Sequence, residues 1–147
     1  LHTGWYVATY EITGLFGGLV AGWISDKLIN NRYDIIGASF MFCLALALIM
    51  LWQIPNEYAY VNIIALIFIG FFVYGPQVLV GIASTDFVSK KAIGTANGLA
   101  GTMGYIGSGL SGVCIGMLID NWGWSSAFIF LISFAFMGSI FFLQIKK

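Results

Sequence analysis

The stretch VNIIALIFIGFFVYGPQVLVGIAS, Val61 to Ser84, contains no charged residue and holds a Gly-Pro pair, Gly75-Pro76, in its middle. In a soluble helix that pair would read as a stop signal. Here the apolar run continues past it, and the whole stretch exceeds the roughly 20 residues that carry a helix across a hydrocarbon core about 30 Å thick. It predicts a membrane span with an interruption inside it. Pro76 cannot donate its N–H and crowds the carbonyl of Phe72, so a kink is expected there. A freed carbonyl at that depth survives where neighbouring helices, side chains or water satisfy it. The pair should therefore face protein or a cavity rather than lipid.

Four further runs of the same kind surround it, at about Trp5–Ile24, Ile35–Ile54, Ala92–Ile119 and Trp124–Ile145. They are too long for barrel strands and do not alternate. The expected fold is an all-α integral membrane protein of five transmembrane helices. Composition agrees: 60% of residues are hydrophobic and only 8% are charged, with a mean hydropathy of +0.94, against roughly 25% charged in soluble domains. A net charge of zero offers no basic footprint for nucleic acid. The apolar content is spread along the chain, unlike a leader on a soluble body. Because the sequence begins with Leu1 rather than Met, a missing upstream part is expected.

Orientation follows from the charges. The six basic residues fall in alternate connections: Lys27 and Arg32, Lys90 and Lys91, Lys146 and Lys147. The connections around Glu57 and Asp120 have none. The positive-inside rule puts the basic segments in the cytoplasm, the N-terminus of the chain outside and the C-terminus inside. Trp5, Tyr6, Trp52, Tyr58, Tyr60, Trp122 and Trp124 gather near the outer ends, where an interfacial aromatic belt belongs.

Small residues mark packing faces. Gly14, Gly18 and Gly22 form a stripe that lets another backbone approach closely, and at about 100° per residue Glu11 shares that face. In the fourth run Gly104, Ser108, Gly112 and Gly116 form one row and Gly101, Tyr105 and Gly109 a second, which would let the helix pack on more than one side, as in a bundle centre. Such rows serve static packing or a sliding interface. Glu11 is an acid within a span, costing about 2.5–3.5 kcal/mol near the bilayer centre. No Lys or Arg lies at matching depth, so a missing segment, a ligand or a proton is expected as its partner; the alternative is an interfacial carboxylate in water. The Gly75-Pro76 break is either a structural kink or a gate presenting Tyr74 and Gln77 to water, as broken helices do in transporters. Asn97 could bond a neighbouring helix or a substrate. Cys43 and Cys114 read as small packing residues. His2 stands alone, and no catalytic triad, metal-ligand cluster or phosphate loop is present, so neither an enzyme nor a cofactor or metal site is expected.

GWISDKLINNR, between the first two spans, resembles the signature loop of the major facilitator superfamily: Gly22, Asp26, Lys27 and Arg32 stand at its glycine, acid and basic positions. Gly22 would allow a tight crossing, and Asp26 would accept from a helix N-terminus or a basic group. A second Gly-x-x-x-Asp, Gly116 to Asp120, precedes NWGWSSAF, another pattern of that superfamily. More narrowly, IGFFVYGPQVLVGIASTDFVSKKAIGTANGLAGTMGYIG and YEITGLFGGLVAGWISDK are similar to the tenth, eleventh and eighth helices of the organophosphate:phosphate antiporters. The resemblance implies helices eight to twelve of a twelve-helix fold, an incomplete C-terminal six-helix half. It further implies a cavity lined by Tyr74 and Tyr105, with Glu11 in its charge network, and two phosphate-gripping arginines that both lie upstream of Leu1.

The function that this implies is a piece of a secondary transporter of the bacterial inner membrane. It would exchange glycerol 3-phosphate or hexose 6-phosphate for inorganic phosphate by alternating access, with the missing N-terminal half as partner. Alone, the chain is expected not to transport, since substrate would meet an open half-site. The alternatives are a transporter-like membrane sensor of sugar phosphate and the inactive product of a truncated gene.

Overall fold

A computed structural model describes residues 2–27, 32–53, 59–86 and 88–144. They form α1 (His2–Lys27), α2 (Tyr33–Gln53), α3 (Ala59–Asp86), α4 (Ile93–Trp122) and α5 (Trp124–Gln144). All five are long and apolar enough to cross a membrane. Despite 19 glycines, helix wins because a spanning segment in lipid must satisfy every backbone group internally. Leu1, Ile54, Glu57, Tyr58, Ile145, Lys146 and Lys147, which the span, orientation and aromatic-belt readings used, lie outside the described residues.

The helix pairs are unequal. α1 packs chiefly along α3, and α2 sits between α3 and α5. Ala21, Tyr33, Ile36, Phe40 and Leu79 form a core joining α1, α2 and α3. Leu44, Ala45, Leu48, Ile69 and Ala135 form a second joining α2, α3 and α5. Ser139 of α5 ties itself to α2 by donating to the Ala38 carbonyl at 2.9 Å.

Glycines set the closeness of these crossings. A Cβ on Gly17 would overlap the Phe71 carbonyl oxygen, and one on Gly70 the Tyr10 carbonyl oxygen. There α1 and α3 touch backbone to backbone, a form of helix association favoured in membranes, where lipid gives no hydrophobic drive. The stripe expected at Gly14, Gly18 and Gly22 is thus only partly the contact. At Gly22 the nearest atom to an added Cβ is Ile82 Cδ1 at 3.9 Å, an ordinary contact, because the closest approach falls more than a turn earlier.

α3 stays helical through Pro76. Gly75 and Pro76 are both buried, and the Phe40 ring of α2 occupies the space that a Gly75 Cβ would need. Phe40 also stacks on Phe71 and meets Phe72 edge-on. The pair faces protein, as its survival in a span requires. Gly75→Ala should cost about 1–3 kcal/mol by overpacking against that ring, read as a lower unfolding midpoint in mixed micelles. Gly94→Ala, whose Cβ would meet nothing within 4 Å, should leave the midpoint in place.

The two-sided packing that the α4 rows allow is not used within the described residues: none of the α4 residues is buried, and a Cβ on any of its glycines would meet nothing within 4 Å. α4 runs for about 45 Å at 1.5 Å per residue but, among the described residues, is held only by α3 and α5, so both small-residue rows stay open there. Its junction with α5 is tight. Gly123, at φ 79°, takes a positive-φ backbone conformation that glycine adopts at little cost, and its N–H closes on the Ile119 carbonyl at 2.9 Å. Ser126 then donates to the Leu118 carbonyl at 2.9 Å.

Candidate functional site

Two groups of side chains meet along one face of α3. The first is centred on Tyr74, whose phenol donates directly to the Glu11 carboxylate of α1. Glu11 was expected to find its partner in a missing segment, a ligand or a proton; the chain itself supplies one. Sequence spacing could not show this, because the two residues are 63 positions apart and meet only through the α1–α3 crossing. The Tyr74 ring lies over Gly14, where a Cβ would overlap it. Tyr10 meets it edge-on, with ring centroids 6.0 Å apart and planes at 66°. A glycine seat and an aromatic wall thus aim the hydroxyl at the carboxylate.

The second group lies one turn further along α3. A groove of about 590 Å³ between α3 and α4 is lined by Gln77, Asn97, Tyr105 and Ser108, with Gly101 and Gly104 among its other residues. Ser84 near the end of α3 bridges to α4, its Oγ lying 2.6 Å from Asn97 Oδ1 and 2.7 Å from the Gly81 carbonyl. Of the two readings open for Asn97, the bond to a neighbouring helix is therefore made, and the residue also faces the groove. Tyr105 is 84% exposed, so its whole ring is open to whatever enters.

The structure thus divides the five candidate cavity residues. Glu11 and Tyr74 are joined in one contact; Gln77, Asn97 and Tyr105 share the groove. Tyr74 and Gln77, three positions apart, are neighbours on the α3 surface and connect the two groups. Tyr10, Gly14, Ser84 and Ser108 belong to this arrangement and were not singled out as cavity residues. Gly14 and Ser108 did stand in the small-residue rows, which was the available signal.

At the opposite end of α1, Asp26 and Lys27 are exposed. Arg32 forms an ion pair with Asp34 at 2.9 Å. That hydrogen bond, with the accompanying charge attraction, raises the guanidinium pKa above its ordinary value. Among the described residues Asp26 has no hydrogen-bond partner, so the acid of the loop motif is not the one Arg32 engages. Trp5, Tyr60, Trp122 and Trp124 are exposed, as residues of an interfacial belt would be.

A small-residue crossing between α1 and α3, a Gly-x-x-x-Asp at the ends of α1 and α4, and a polar groove beside a proline-containing span form a pattern that can be compared with known proteins. The sequence profile of the Major Facilitator Superfamily matches residues 1–147. The chain belongs to the Major Facilitator Superfamily.

The chain is 39% identical, over 138 residues, to the glycerol-3-phosphate transporter of Bacillus subtilis (strain 168), a match covering 93% of this chain and 31% of that protein. It is 39% identical over 139 residues to a probable hexose phosphate transport protein of Chlamydia pneumoniae, covering 93% and 30%. To the membrane sensor protein UhpC of Escherichia coli (strain K12) it is 37% identical over 123 residues, covering 84% and 28%. The chain therefore spans about three-tenths of the length of the curated relatives it matches. As a superfamily member with five candidate spans, it is a multi-pass membrane protein.

Proposed function

We propose that this chain is the part corresponding to helices eight to twelve of an organophosphate:phosphate antiporter. On this reading the intact protein takes up glycerol 3-phosphate or a hexose 6-phosphate in exchange for inorganic phosphate across the bacterial inner membrane. One observation carries the reading: Glu11 is bonded to Tyr74 one helical turn from a polar groove, in a chain 39% identical to a glycerol-3-phosphate transporter. Structural packing alone gives no reason for an acid, a phenol and two amides on adjoining faces at membrane depth, where polar groups are expensive.

The mechanism is alternating access. Two helix bundles rock about a site near the bilayer midplane, with the basic connections at Lys27/Arg32 and Lys90/Lys91 on the cytoplasmic side. The small-residue rows of α4 give a low-relief face for the opposing N-terminal half. The Gly75-Pro76 pair, seated on Phe40, is the point at which α3 yields as the cavity opens. No covalent chemistry and no cofactor are involved, and this chain on its own does not transport.

The test uses the intact transporter in proteoliposomes loaded with inorganic phosphate. Uptake of labelled glycerol 3-phosphate or glucose 6-phosphate should exceed that of phosphate-free vesicles at least tenfold. Equal uptake with and without internal phosphate would refute exchange.

A second reading, a membrane sensor of sugar phosphate, is favoured by the similarity to the sensor UhpC. It predicts ligand binding by the intact protein without phosphate-driven uptake. Measuring binding and uptake on the same preparation separates the two.

A further inference from the structure

We infer that the apolar cleft between α1 and α3 seats one acyl chain of a membrane phospholipid, drawn from the leaflet at the Trp5 and Tyr60 end of the bundle. Such a seat requires only that the helices span a bilayer, whatever the intact protein carries.

The cleft has a volume of about 220 Å³ and is lined by Thr13, Phe16, Ile67, Phe68, Phe71 and Phe72. It arises because α1 and α3 touch backbone to backbone at Gly17 and Gly70, while large side chains stand up on either side of that contact. Phe68 and Phe72 stack with centroids 6.2 Å apart and planes at 13°, which makes one wall nearly flat. Thr13 is the one polar side chain among the described lining residues. Its hydroxyl turns back on its own helix, donating to the Thr9 carbonyl at 2.8 Å. No side-chain donor is left over to recognise a headgroup or a sugar. What the cleft offers is dispersion contact on two sides at once, which a single helix face cannot give.

Position decides between occupants. At about 100° per residue Phe16 points roughly 140° away from Glu11 on α1, and Phe68 roughly 180° away from Gln77 on α3. The cleft therefore lies on the reverse of the α1–α3 seam from the polar groups, which need protein or water at this depth. Phe16 and Phe68 have no such need, and both are exposed. Length agrees. α1 and α3 run in the same direction, since Gly14, Gly18 and Gly22 face Tyr74, Val78 and Ile82 in turn. Trp5 and Tyr60, both exposed, thus stand at the same end. Phe16 is 11 positions from Trp5, and Phe71 is 11 positions from Tyr60, which is about 16 Å of helix. That is about half of a hydrocarbon core roughly 30 Å thick. It is the depth to which an acyl chain reaches when its glycerol end lies among interfacial aromatic rings. Thr9, between Trp5 and Thr13, also turns its hydroxyl inward, to the Trp5 carbonyl at 2.8 Å, so the path stays apolar.

The experiment places the intact protein in phospholipid bilayers containing traces of phosphatidylethanolamine with a photoactivatable diazirine in one acyl chain. The diazirine sits either beside the carboxyl or at the methyl end, and adducts are mapped by mass spectrometry. The methyl-end probe should label the cleft about tenfold above the exposed Phe42 of α2 and Ile140 of α5. The carboxyl-end probe should label near Trp5 and Tyr60 instead. Phe16→Ala, read on α3, and Phe68→Ala, read on α1, should each cut cleft labelling about tenfold relative to that at Ile140. Phe42→Ala should leave it unchanged. Adducts spread evenly over the exposed faces would overturn the inference, and so would a reversal of the two probes or labelling that survives both cleft variants. A cleft left unlabelled, because another helix of the intact protein covers it, overturns it equally.

Discussion

Replacing Gly17 with valine should leave little stably folded protein in the membrane. A Cβ at this position overlaps the carbonyl oxygen of Phe71, a main-chain atom of α3 that no rotamer change can move. Relief therefore requires the two helices to separate along their length, which also breaks the reciprocal contact of Gly70 with the Tyr10 carbonyl. α1 has little else to hold it, since its contact with α2 is slight. Overpacking a well-packed core costs about 1–3 kcal/mol and occasionally more, and a clash against backbone belongs at or above the upper end. Unfolding in mixed micelles should show a midpoint lowered by the equivalent of about 3 kcal/mol, with α1 becoming accessible to protease. Gly22→Ala is the internal control: its Cβ meets only Ile82 Cδ1, at 3.9 Å, and should be tolerated. If Gly17→Val and Gly22→Ala unfold alike, the α1–α3 crossing described here is wrong.

The second large effect concerns Glu11 and Tyr74. A carboxylate within a span must be partnered or it will neutralise or recruit water, and the Tyr74 phenol is the partner present. Tyr74→Phe keeps the ring on Gly14 and against Tyr10 but removes the donor, and a hydrogen bond to a charged group contributes about 1.5–3 kcal/mol. On the exchange function proposed above, uptake by the intact protein should fall roughly 10- to 100-fold, as that free energy implies. Glu11→Gln keeps an oxygen for the phenol while removing the charge. It should preserve folding and still lower exchange, if the charge itself serves the cavity. Because the two groups act as one unit, the double variant Glu11→Gln/Tyr74→Phe should be little worse than the poorer single variant. Strictly multiplicative losses would mean that the residues work independently, and the pair would be only a packing contact.

Much of the fold was legible from local composition. Five runs without strong interruption predicted five helices, and the observed limits differ from the expected ones by at most three residues. Between α4 and α5 the expected connection, Asp120 to Gly123, reduces to Gly123, whose positive φ turns the chain at once. The Gly75-Pro76 pair was readable as one that must face protein or a cavity rather than lipid; that α3 stays helical through it and that it faces Phe40 was not. Glu11 and Tyr74 were each conspicuous, one as an acid in a span and one beside the break, yet their bond lay beyond reach because no local period relates positions in different helices. The two rows on α4 show a different limit. A glycine row indicates that close approach is allowed, and periodicity cannot say whether the approaching helix belongs to this chain.

What the sequence alone determined, then, is what depends on transfer between water and lipid. The number of candidate spans, their helical form and the alternation of basic connections all follow from which segments can lose their water. Tertiary structure decided the pairings: α1 against α3 through Gly17 and Gly70, Phe40 in the space beside Gly75, the Tyr74 phenol on Glu11, and Gln77, Asn97 and Tyr105 around one groove. The physical reason is that burial is an additive property of each segment, whereas contact depends on the shapes of two surfaces and on the angle at which helices cross. Those are fixed only when all the helices are packed together.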